Sequence, residues 1–420
     1  MKRIAILAAL AALAGPAAAD IDRSEAAAAL MLADQACVGG RSLWGVDMCG
    51  PLLLADPQTR RAVANRAGEG LSAEGAVFAG VLPPQINIAN TAVEWNGTRW
   101  TMVVWPVPQD RYDRAQILMH EAWHRVQDGL GFPLSSPAPE HLATRDGRIA
   151  LRLEWRALAA ALAARDEAAR KRAISDALTF RGWRAHMAEG AGEQERALEM
   201  NEGLAEWTGW RLSGHPDLPA RLATMLGGFE KRRSYVRSFA YATGPAYGVL
   251  LDRYEPGWHR KVTAADSLPE RLKRAAGVRV DEGIQGVEAA GLRYGLAEVR
   301  AEERAAFEAR EQAAAAWRAK LVDGPVLVLP FGQMQFSFDP NTVVPLPPHG
   351  TVYPSLRIVD AWGVLEVERD GALIDPNFGG VAVPANGQAT SGPGWKLELA
   401  PGWRLKPGAR AGDATVEKAR

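Results

Sequence analysis

Residues 120–124 read His-Glu-Ala-Trp-His, inside a run with the composition of a helix. Residues four apart project from one helix face, so the imidazoles of His120 and His124 can reach a single Zn²⁺. Glu121 lies on the neighbouring strip of surface. A carboxylate there can take a proton from a water polarised by the metal. The pattern therefore points to metal-assisted hydrolysis, with His120 and His124 as ligands and Glu121 as general base.

Such a site needs a third protein ligand and an open position for water. Extending the pattern to H-E-x-x-H-x-x-G-x-x-H would put glycine at Gln127 and histidine at Leu130, which excludes the metzincin arrangement. Glu140 and His141 are near in sequence, but they sit in a Pro-rich loop with no supporting pattern. The better candidates lie downstream in Asn201-Glu202-Gly203-Leu204-Ala205-Glu206.

H-E-x-x-H followed by N-E-G-L-A resembles the gluzincin metallopeptidases, the group of thermolysin-like proteases and zinc aminopeptidases. By that resemblance Glu202 is the third zinc ligand, and Glu206 is a carboxylate that hydrogen-bonds a histidine ligand. Spacing agrees, because i and i+4 share a helix face. Glu195 and Glu199 extend the row and are expected on its solvated, peripheral part. Tyr241-Ala242-Thr243-Gly244-Pro245-Ala246-Tyr247 is similar to the Y-x-x-G-x-x-[FY] helix of gluzincin-like families. The resemblance gives Tyr241 the role of stabilising the oxyanion, with Tyr247, His186 and His259 as weaker alternatives. Pro245 departs from the usual pattern and implies a break in that helix.

The resemblance covers about residues 99–254. It implies a zincin-like, mostly helical α+β domain with a small antiparallel sheet, which holds one Zn²⁺ and cuts peptide or protein substrates. The G-x-M-E-N strand motif of the aminopeptidases is missing; residues 101–106 read Thr-Met-Val-Val-Trp-Pro instead. That argues against an aminopeptidase of the standard type. Two other readings fit the same residues: a non-catalytic zincin-like binding or structural protein, and a zinc hydrolase of a cell-wall or ester substrate.

The surrounding elements must position these residues. Asn96-Gly97 between Thr91–Trp95 and Thr98–Trp105 signals a hairpin with a type I′ turn. Its second strand leads to Asp110, a candidate N-cap with Asp113 in the first turn, and so to the site helix over 111–128. Residues 24–36 read as a helix, 39–57 as a pinned loop and 59–67 as a short helix. Residues 145–212 are helical in pattern, as are 234–254 and 298–321. After Gly324 the texture changes to alternation, as in Met334, Phe336 and Phe338, with Asp370-Gly371 and Asn386-Gly387 as turns. The expected organisation is a metallopeptidase domain over 20–322, with residues 20–85 as its disulfide-pinned N-terminal segment. A small antiparallel β domain over 323–405 and a frayed tail over 406–420 follow.

Residues 1–19 have the form of a signal peptide. Met1-Lys2-Arg3 is the positive start, Ile4 to Ala14 is apolar, and Ala17-Ala18-Ala19 is a cleavage site. Export, to the periplasm or beyond the cell, is the expectation. Cys37 and Cys49 are the only cysteines, and in an oxidising compartment they are expected to form one disulfide. Lys+Arg and Asp+Glu both number 49, so charge gives no support to nucleic-acid binding. No run after the leader is apolar enough for stable membrane insertion.

Overall fold

A computed structural model describes residues 21–332, 334–338 and 342–419. The expected signal peptide lies outside the described residues. The chain forms two compact units, one reaching to Ala301 and one from Glu302. The boundary falls inside a long helix, about twenty residues before the change of texture that the sequence marks.

In the first unit, α1 (Arg23–Ala36) and α2 (Gly40–Trp44) precede a sheet of β1 (Leu52–Ala55), β2 (Arg61–Ala64), β3 (Leu71–Glu74), β4 (Val77–Val81), β5 (Thr91–Trp95) and β6 (Thr98–Val104). The strand order is β3-β4-β2-β1-β6-β5. β1 and β6 run parallel and the other pairs antiparallel, so the sheet is mixed and larger than the small antiparallel one expected. Residues 59–67 are not a helix. Arg61–Ala64 is strand β2 between β1 and β4, with Ala62, Val63 and Ala64 buried, and there ladder hydrogen bonds outweigh the weak local preference of an Ala-rich tetrapeptide. The expected pinned loop likewise contains α2 and β1. The hairpin forms with its turn at Asn96 and Gly97, both at positive φ.

The helices are α3 (Arg111–Val126), α4 (Arg145–Ala163), α5 (Glu167–Ala185), α6 (Ala191–Leu198), α7 (Leu204–Ser213), α8 (Leu218–Phe229), α9 (Ala240–Tyr254), α10 (Leu268–Ala276), α11 (Ile284–Gly291) and α12 (Leu296–Arg318). Asp110 caps α3 by accepting from Tyr112 and Asp113 N–H. α9 begins at Ala240, later than expected, and runs through Pro245 without a break. A proline in a helix removes one backbone hydrogen bond, and here packing outweighs that loss.

An aromatic core backs the site helix. Trp123, inside the H-E-x-x-H run, lies 4.3 Å from Trp44, and Trp44 lies 5.7 Å from Trp207, centroid to centroid. The Cys37–Cys49 disulfide closes the segment that carries Trp44. In the loop-entropy model, closing a loop of this size stabilises the fold by about 3 kcal/mol. Among the described residues no helix is long and apolar enough to cross a membrane.

The second unit is β-rich, with a seven-stranded and a five-stranded sheet whose side chains share one core. The C-terminal residues are not frayed. Trp403–Pro407 and Ala414–Lys418 pair antiparallel, and the latter also joins Val326–Pro330 in parallel. Asp413 secures the junction by accepting from Val326 N–H and Arg410.

Candidate metal centre

α3 brings His120, Glu121 and His124 to the floor of a cavity of about 740 Å³. A widened turn, Glu199–Gly203, brings Glu202 to the same place. Here Leu204 N–H bonds Glu199 O, five residues back, a π-turn of the kind that recurs at functional sites. Two close backbone approaches make this possible. A methyl group on Gly209 would sit 2.4 Å from Gln116 O, so glycine lets α7 lie directly on α3. A methyl on Gly244 would sit 2.2 Å from Gly203 Cα, so α9 presses onto the π-turn and delivers Tyr241.

The donor atoms form a nearly equilateral triangle. His120 Nε2 and His124 Nε2 are 3.1 Å apart, and each is 3.4 Å from Glu202 Oε2. Tetrahedral ligands at zinc's bond lengths of about 2.0–2.1 Å stand about 3.3 Å from one another. The three atoms can therefore hold one metal ion of that size. Both outer ring nitrogens are engaged: His120 Nδ1 lies 2.8 Å from Glu206 Oε2, and His124 Nδ1 lies 2.6 Å from Gln127 Oε1. An Nδ1 proton on each ring, assigned from these partners, leaves both Nε2 lone pairs aimed inward.

The electrostatics favour a cation at that point. Burial works to lower the pKa of His120, but hydrogen bonds to Glu202 and Glu206 and the charge of Glu121 raise it to about 10. Burial works to raise the pKa of Glu202, yet its hydrogen bonds to His120, His124 and Tyr241 hold it far below the usual carboxylate range. Glu121 responds differently. Burial raises its pKa more than the two histidines lower it. Its Oε1 is 3.9 Å from His120 Nε2, and its buried Oε2 has no hydrogen-bond partner. A buried, unpaired carboxylate oxygen beside a cation-seeking triangle suits proton transfer.

Tyr241 stacks on His120 with ring planes 7° apart and donates to Glu202 Oε2 at 2.7 Å. Its hydroxyl thus fixes the carboxylate. Burial pushes it far above the ordinary tyrosine range, with the charge of Glu202 acting in the same direction. Tyr247 is buried and bonds Glu154. His186 is exposed beside Glu282, and His259 packs on Trp44 and Trp207. None of these three lines the cavity.

Several supporting residues escape sequence reading. Gln127 donates to Asn201 Oδ1, whose Nδ2 lies 3.3 Å from Glu202 Oε1. Gln116 and Trp210 donate to Glu206. Helical spacing was the available signal. Gln116 precedes His120 by four residues, Gln127 follows His124 by three, and Trp210 follows Glu206 by four.

Glu195 and Glu199 are not solvated; they are fully buried. Arg184 pairs with Glu195 through two bonds of 2.8 Å, and Arg181 holds Glu199 through bonds of 2.8 and 2.7 Å. Glu154 joins from α4, and His141 Nε2 lies 2.5 Å from Glu195, so His141 serves this cluster and not the triangle. Thr243, from the helix that carries Tyr241, donates to Glu199. Burial acts against every charge here. The acidic partners nevertheless hold Arg181 and Arg184 above the usual range, and the two arginines hold Glu195 well below it.

Compared with known protein families, with characterised proteins and with solved structures, the chain matches none.

Proposed function

We propose that the protein is an exported, zinc-dependent metallopeptidase of gluzincin type, with a zincin-like catalytic domain. One observation carries the proposal: a His120–His124–Glu202 triangle of tetrahedral size beside the unpaired carboxylate of Glu121. The Cys37–Cys49 disulfide and the leader-like residues 1–19 support export.

His120, His124 and Glu202 would hold the ion. Bound there, zinc supplies Lewis acidity, lowering the pKa of a coordinated water towards about 7 and polarising a carbonyl oxygen. Glu121 accepts the proton of the attacking water at Oε2 and passes it to the leaving amine nitrogen. Glu206 and Gln127 keep the rings oriented through Nδ1. Tyr241 steadies Glu202 from the other side. The substrate backbone cannot pair with β6, which already lies between β1 and β5. The edge strand β5 is the place for it, because Asn90 and Thr91 line the cavity.

Glu121→Gln tests the proposal. The variant is expected to keep one zinc per chain by elemental analysis, and to lose about 10²- to 10⁴-fold in peptide turnover, the usual share of a general base. Undiminished turnover with zinc retained refutes it.

A further inference from the structure

The lip of the same cavity carries positive charge that the metal centre does not use. Residues 230–237, between α8 and α9, read Glu-Lys-Arg-Arg-Ser-Tyr-Val-Arg. Glu230 is occupied by Arg152 and Arg156 from α4. Three arginines line the cavity: Arg221, Arg232 and Arg237. Arg221 is engaged, with Nη2 2.5 Å from Asp113 and its guanidinium over the Trp210 ring. The other two have looser contacts. Arg237 Nη2 stands 3.8 Å from Glu202 Oε1, beyond hydrogen-bonding distance. Arg232 lies over Phe229, with Cζ 3.9 Å from the ring centroid. Among the described residues, neither guanidinium has a carboxylate within hydrogen-bonding distance.

Guanidinium groups present paired N–H donors that match a carboxylate, and an aromatic face beneath one fixes its plane. Four carboxylates also line the cavity: Asp113, which offsets Arg221, and Glu121, Glu202 and Glu206. A divalent ion would offset two of the three glutamates, and Arg232 and Arg237 then make the cavity net positive. Arg237 is close enough to Glu202 that an anion on it would lie within about one residue of the bond being cut.

We infer that Arg232 and Arg237 bind a carboxylate of the substrate, so that the protein prefers peptides with a negative charge beside the cleaved bond. This rests on the peptidase reading for the nature of the ligand. The carboxylate has two sources, a chain-terminal α-carboxylate or the side chain of Asp or Glu.

The test uses the full mature protein carrying Glu121→Gln, loaded with zinc, and four fluorescent peptides of one parent sequence. One pair differs only in a free or amidated C-terminus. The other pair is amidated and differs only in Glu or Gln at one internal position. Fluorescence anisotropy is expected to show a charged member binding about tenfold more tightly than its neutral twin, the size of one charge-assisted hydrogen-bonded pair. The pair that shows the gain identifies the source. Arg232→Gln with Arg237→Gln should reduce that ratio to about twofold or less. Both positions are exposed, so the fold is not at risk. Equal binding of charged and neutral twins, or a preference that survives the double substitution, overturns the inference. The peptidase reading fails separately. If protein with Glu121 intact cleaves none of the four peptides while the arginine-dependent preference persists, the carboxylate site stands and the peptidase does not. Cleavage of neutral peptides as fast as charged ones has the opposite meaning.

Discussion

Glu195, Glu199, Glu202 and Glu206 lie on one helical run, yet they serve two different buried clusters. The first pair meets Arg181 and Arg184; the second meets His120 and His124. The π-turn between Glu199 and Glu202 separates the pairs. All four carboxylates are buried, so burial does not distinguish structure from chemistry here. The partner does. A guanidinium keeps its proton at any ordinary pH and has no lone pair to offer a cation. An imidazole can give up a proton and offer a lone pair. The arginine cluster therefore braces the turn, while the histidine cluster stays open to a cation.

Breaking the brace should have the largest effect. Arg184→Met leaves Glu195 and Glu154 buried without their main partner. The expected cost is about 3–5 kcal/mol of folding stability, the usual range for one side of a buried pair. Urea denaturation of the protein in the presence of chelator measures it without a contribution from metal. A loss below about 1 kcal/mol, typical of an exposed pair, would mean that the cluster braces nothing. His120→Ala is the counterpart, and should abolish metal uptake.

The contrast also explains what the sequence conveyed. The two histidines and Glu121 are legible from the spacing of H-E-x-x-H, and Glu202 and Glu206 from the resemblance of N-E-G-L-A to the gluzincin motif. Glu195 and Glu199 have the same spacing, which by itself suggests a solvated row. Their partners, Arg181 and Arg184, come from another helix, and no local pattern announces that pairing. The hairpin at Asn96-Gly97 was legible from turn chemistry, since that dipeptide accepts positive φ. Strands β1 and β2 were not, because four-residue Leu- and Ala-rich segments become strands only through sheet partners distant in the chain. The final strand at Ala414–Lys418 was missed for the same reason: its partners lie at Trp403–Pro407 and Val326–Pro330.

A smaller effect is expected where the two clusters differ in tolerance. Glu206→Ala removes the acceptor from His120 Nδ1 and leaves Gln116 and Trp210 without theirs. Loss of such an outer partner typically lowers metal affinity by about 10- to 100-fold, or about 1.4–2.7 kcal/mol. Competition against a chromophoric chelator would show it. Unchanged affinity would remove Glu206 from the metal centre and leave it a purely structural acid.

The finest distinction is in pH dependence. In the presence of chelator, His120 holds its proton up to a pKa of about 10, against an ordinary value of 6.5. Between those values the folded chain binds a proton that the unfolded chain has released. Stability from this source is fully present below pH 6.5 and is lost as pH rises through 10, with a slope of at most about 1.4 kcal/mol per pH unit. Arg181 and Arg184 give no such slope in that window, because guanidinium groups do not titrate there. Urea midpoints measured from pH 6.5 to 10 should therefore fall steadily with chelator present. Saturating zinc should abolish the decline, because a cation then occupies the place of that proton on His120 Nε2. His120→Gln should abolish it without zinc. A decline that zinc leaves untouched would mean that proton and metal do not compete for one position, and the two clusters would then differ only in their partners and not in their chemistry.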